Sequence, residues 1–66
     1  MSDDRIDVAE LRRLRHDLRS PLMVIGGFAR LIAEGDDMSD AERRDYAERI
    51  ERAAEELRRT LDAAIP

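Results

Sequence analysis

Apolar residues in the first half of the chain fall at Leu11, Leu14, Leu18, Leu22, Ile25, Ala29 and Ile32, at spacings that alternate between three and four. At about 100° per residue this set lies within about 40° of one line along a helix, the narrow stripe of a coiled-coil seam. Ile6 and Val8 carry the apolar pattern back toward an acidic start, which predicts a helix over about residues 4–33 with Asp3 or Asp4 as its cap. A second stripe, Tyr46, Ile50, Ala53 with Ala54, Leu57, Leu61 and Ala64, predicts another helix over about residues 40–64.

Glu34-Gly35-Asp36-Asp37-Met38 interrupts the two, placing a turn at about residues 34–39. Gly35 is expected to close the first helix in the left-handed conformation. Ser39-Asp40-Ala41-Glu42 matches a capping box, in which the Ser39 hydroxyl and the Glu42 carboxylate each satisfy the other's backbone donor. So short a connection makes the helices antiparallel neighbours. The fold class is therefore all-α, an antiparallel helical hairpin. A lone two-helix layer leaves its flanks in water, so pairing into a four-helix bundle, a homodimer, is expected.

Size and composition support association. Sixty-six residues make one domain, residues 1–66, too small for a single core to hold easily. There is no cysteine and one histidine, so neither disulfides nor a metal site are expected. Hydrophobic and charged residues each make up 42% of the chain, with a single Tyr and a single Phe, a balance that suits helices. The longest uncharged run, Ser20 to Ala29, is too short to span a bilayer, and the start, Ser2-Asp3-Asp4, does not read as a signal peptide. These features predict a cytoplasmic segment without membrane contact. A net charge of −4 and the scarcity of aromatics argue against nucleic acid.

The chemistry concentrates in His16-Asp17-Leu18-Arg19-Ser20-Pro21-Leu22. His16 falls about 160° from Leu18 on the helical wheel, so its imidazole stands clear of the seam and a large donor can reach it. Neutral imidazole is a nitrogen nucleophile near physiological pH. Asp17 is next to it and able to accept a hydrogen bond from one ring nitrogen, fixing the tautomer, or to take up a proton as the ring attacks. Ser20, one turn on, is placed either to orient a water toward a phosphoryl group on a docked partner or to bond back to its own helix. Pro21 removes a backbone donor and crowds the Asp17 carbonyl, predicting a bend just after the histidine. Met23 and Leu31 are apolar on the outward side beside Gly26 and Gly27. Two helix-interior glycines suggest close approach by something, either a docking partner or a widened core face.

Together these residues resemble the dimerisation and histidine-phosphotransfer domain of two-component sensor kinases, the HisKA type, whose pattern is H-[ED]-x-R-[TSN]-P-L. Ile25, Gly26 and Leu31-Ile32, the short turn and the second stripe extend the resemblance from about Ile6 to Ile65. The resemblance implies that His16 accepts the γ-phosphoryl of ATP and passes it to an aspartate of a response-regulator receiver domain. It implies Asp17 as acid/base partner, Ser20 in regulator dephosphorylation, Arg19 in docking or phosphate charge, and Pro21 as a signalling bend. The family more often carries Glu at the Asp17 position and Thr or Asn at the Ser20 position. It also implies a bacterial, cytoplasmic setting, within the cytoplasmic part of a larger sensor. ATP and magnesium would belong to a separate ATP-binding domain, which nothing in these residues resembles. This chain itself is expected to hold no cofactor and not to phosphorylate itself alone. Two other readings keep the hairpin: an adaptor that docks a regulator or kinase without catalysis, and a purely structural coiled coil.

Overall fold

The computed structural model describes residues 7–65 as two helices, α1 (Val8–Glu34) and α2 (Asp40–Ala64). They lie side by side in a rod of 58 × 17 × 11 Å. No described helix is long and apolar enough to cross a membrane.

Local chemistry explains the helix ends. α1 is capped by Asp7, whose carboxylate accepts from the Ala9 amide at 2.9 Å. The cap expected at Asp3 or Asp4 thus falls to Asp7, because a carboxylate there reaches the second helical amide; Asp3 and Asp4 lie outside the described residues. α1 continues unbroken through Pro21. At the start of α2, Ser39 Oγ accepts from the Glu42 amide at 3.1 Å and Glu42 accepts from the Ser39 amide at 2.9 Å, completing the expected capping box. That hydrogen bond from the Ser39 amide, together with the one from its hydroxyl, holds the Glu42 carboxyl below its ordinary range.

Gly35 departs from expectation. Its φ is −90° and ψ 82°, and no described glycine has positive φ. The Asp36 amide donates to the Glu34 carbonyl at 3.2 Å, so the chain leaves α1 through an inverse γ-turn and not a left-handed cap. Glycine is needed here for space. A Cβ at this position would stand 2.8 Å from the Leu31 carbonyl oxygen and 2.7 Å from Met38 Cε.

The helices meet along a line that differs from the simple seam. On α1, Pro21 is buried and Leu14, Leu18, Val24, Ile25, Phe28 and Ile32 are half-buried. On α2, Ala53 is buried and Tyr46, Ile50, Leu57 and Thr60 are half-buried. The Phe28 and Tyr46 rings pack with centroids 5.1 Å apart near the turn, and the Arg49 guanidinium lies 5.5 Å from the centre of the Phe28 ring. Each step forward along α1 is a step back along α2, so this pair brings Pro21 level with Ala53. The smallest side chain of the α2 stripe thus faces the proline ring. Leu11 and Leu22, expected in the packed stripe, are 45% and 53% exposed, and Ala29 is also exposed. The stripe straddles two directions: α2 covers its Pro21–Phe28 flank and leaves the Leu11–Leu22–Ala29 flank open.

Exposed ion pairs lace the outer surface of α2. Arg49 pairs with Asp45 at 3.0 Å, Arg58 bridges Glu55 and Asp62, and Arg59 reaches Glu55 at 3.3 Å. The flanking arginines hold the Glu55 carboxyl below its ordinary range. On α1 the ion pair between described residues is Arg30 with Glu34, at 3.2 Å in the last turn.

Candidate functional site

His16 stands on the third turn of α1 and is exposed. It points about 150° round the helix from the line that faces α2. Its neighbours at three and four residues either side are Arg12, Arg13, Arg19 and Ser20, all exposed. None of these arginines pairs with a carboxylate among the described residues. The segment Val8–Leu22 carries four arginines against Glu10 and Asp17, in a chain of net charge −4. An accessible imidazole therefore sits in the one stretch of surface where cations outnumber carboxylates on α1, an environment that favours a bound or transferred phosphoryl group. Sequence reasoning passed over Arg13; its place three residues before His16 was the signal.

The expected partners are brought near but not bonded. Asp17 is exposed, and no hydrogen bond joins it to His16 among the described residues, since consecutive side chains diverge by about 100°. The Ser20 hydroxyl makes no hydrogen bond to its own helix, in contrast to Thr60, whose Oγ1 donates to the Glu56 carbonyl at 2.9 Å. Ser20 thus presents its hydroxyl on the His16 side of α1. Pro21 lies on the opposite side, in the interface with α2, so a change in how the helices pack acts directly on the turn after His16.

Met23, Gly27 and Leu31 continue the outward face below His16, with Gly26 to one side. Met23 is 69% exposed. A Cβ added at Gly26 or Gly27 would meet nothing within 4 Å, so these glycines do not serve close approach by α2. They leave a bare strip of backbone between two exposed apolar side chains. Among the described residues no group of three or more His, Cys, Asp or Glu is placed to hold a metal ion.

Comparison with known proteins adds one finding. Residues 9–64 match the family described as the His Kinase A (phospho-acceptor) domain. No curated protein and no solved structure matches the chain.

Proposed function

Because the chain belongs to the His Kinase A (phospho-acceptor) domain family, the phosphoacceptor and dimerisation module of histidine kinases, we propose that His16 is its phosphoacceptor and that it relays phosphate from ATP to a response-regulator aspartate. The observation that carries this reading is the exposed imidazole ringed by Arg12, Arg13 and Arg19 at one-turn spacing. The outer ring nitrogen attacks the γ-phosphorus, an N–P bond forms, and the P–O bond to the leaving ADP breaks. Asp17 takes the ring proton after a rotamer change closes the gap to His16. The arginines offset the charge gathering on the phosphoryl oxygens.

The remaining roles follow from position. Ser20 orients water for removal of phosphate from the docked regulator. Arg19 contributes docking or phosphate charge, and Pro21 couples helix packing to the turn that carries His16. The strip of Met23, Gly26, Gly27 and Leu31 receives the receiver domain, its exposed methionine adapting to the partner's contour. ATP arrives on a separate kinase ATP-binding domain. The open flank of Leu11, Leu22 and Ala29 supports a homodimer, since water-exposed apolar side chains at seam spacing are stabilised by a second copy.

Incubation with a histidine-kinase ATP-binding domain and ATP tests the assignment. Wild type should acquire an acid-labile, base-stable phosphate, and His16→Gln should acquire none. Equal labelling of the two chains would remove His16 from the reaction. A labelled regulator that loses its phosphate to the wild-type domain, and keeps it with His16→Gln, would separate relay from mere docking.

A further inference from the structure

The uncovered flanks of the two helices have a common direction. Right-handed helices running in opposite senses turn oppositely when viewed from one end. The open flank of α1 (Leu11, Leu22, Ala29) and that of α2 (Ala47, Ala54, Leu61, Ile65) therefore fall on the same side of the hairpin. Along α1 this side forms an open groove lined by Leu11, Leu14, Arg15, Leu18, Arg19 and Leu22.

The charged edges of that side are of opposite sign. Arg12, Arg15 and Arg19 border the apolar band on α1, and none pairs with a carboxylate among the described residues. Glu51, Glu55 and Asp62 border it on α2, with Arg58 tied between Glu55 and Asp62. Glu51 makes no ion pair with another described residue.

Two copies can close these faces in two symmetric ways. A twofold axis across the helices sets α1 on the partner's α1 and brings the arginine edge against itself. A twofold axis along the helices sets α1 on the partner's α2. The level given by the Phe28–Tyr46 pair then puts Arg19 beside the partner's Glu55 and within a turn of the partner's Glu51, and Arg12 beside the partner's Asp62. Taking the homodimer of the preceding section as given, we infer that charge selects the second arrangement: the α1 groove seats the partner's α2, and Arg12 and Arg19 pair with the partner's Glu51, Glu55 and Asp62. The charged rim fixes the orientation while the apolar band supplies the contact. It also ties the dimer to the site, because Arg19 borders both the rim and His16.

The test measures dimer dissociation at low ionic strength for the full chain and three variants, by sedimentation equilibrium, with helicity as the folding control. Glu51→Arg reverses charge on the rim, and Glu56→Arg makes the same change on the other side of the hairpin, also at an exposed position. Glu51→Arg should weaken the homodimer about tenfold, since the contact occurs twice per dimer, with Glu56→Arg within about twofold of wild type. Arg19→Glu should weaken its homodimer as well, and an equimolar mixture of Arg19→Glu with Glu51→Arg should recover wild-type affinity as a heterodimer. Equal effects of Glu51→Arg and Glu56→Arg, no recovery in the mixture, or a homodimer strengthened by Arg19→Glu would overturn the arrangement. A wild-type chain that stays monomeric would overturn the homodimer itself, and neither result bears on phosphate labelling of His16.

Discussion

Replacing glycine with alanine should change stability in opposite directions at two places in this hairpin. At Gly35 the new methyl would lie 2.8 Å from the Leu31 carbonyl oxygen and 3.3 Å from Met38 Cβ. The Met38 side-chain end can rotate away, but the Leu31 carbonyl belongs to the last turns of α1 and moves only if the backbone does. Its φ of −90° is open to any residue, so conformational freedom is not the issue; the clash is. Forcing a methyl into closed space costs about 1–3 kcal/mol. At Gly26 and Gly27 an added methyl meets nothing within 4 Å, and alanine gains about 1 kcal/mol in helix propensity at each. For a domain of this size each kcal/mol moves Tm by about 4–8 °C. Thermal unfolding followed by circular dichroism, at one protein concentration because association contributes to Tm, should show Gly35→Ala lower and Gly26→Ala higher than wild type. A Gly35→Ala chain as stable as wild type would refute the close approach at the turn. A Gly26→Ala chain that loses stability would show that this strip is covered within the folded domain.

Three further expectations concern the caps and the proline. Ser39→Ala removes the hydroxyl that accepts from the Glu42 amide and should cost about 1 kcal/mol in urea unfolding. Glu42 is lowered from an ordinary value of 4.5 by its bonds to Ser39, so the stability it contributes is fully present above that value. It is lost as pH falls through the lower folded value, and Glu42→Gln should flatten the acid limb of a stability–pH profile measured between pH 6 and 2. Pro21→Ala restores a donor to the Asp17 carbonyl, worth about 3 kcal/mol in a helix interior, against the loss of a buried ring worth about 1–2 kcal/mol. A higher Tm together with an altered balance of phosphorylation and dephosphorylation in an assembled kinase is expected; a higher Tm alone would reduce Pro21 to a packing residue.

Much of this was legible from residue order because the controlling interactions are local. The capping box at Ser39–Glu42 needs only four consecutive residues, and the α2 boundaries followed from it. The outward direction of His16 needs only the helical period. What could not be read is what depends on the second helix. The periodicity of α1 marks one broad stripe, but which flank a hairpin covers is decided by the packing of Phe28 on Tyr46 and of Pro21 opposite Ala53, contacts between residues far apart in sequence. Leu11 and Leu22 were therefore grouped with residues that α2 covers. Gly35 was misread for a related reason: its spatial constraint comes from Leu31 and Met38 closing round it, not from its own dihedral preference. The arginine ring around His16 was half visible, with Arg12 and Arg19 noted and Arg13 not.

The ion pairs are distributed unequally, and this has a consequence for motion. α2 begins at a reciprocal cap and is cross-linked along its length by Arg49–Asp45, Glu55–Arg58–Asp62 and Arg59–Glu55. The turn of α1 that carries His16 has no such ladder among the described residues, and lacks the amide proton that Pro21 would otherwise supply. Backbone amides between Arg12 and Ser20 should accordingly trade their hydrogens for deuterium sooner than those between Asp45 and Glu56. α2 acts as a stiff strut, and the histidine rides on the more yielding rail beside it.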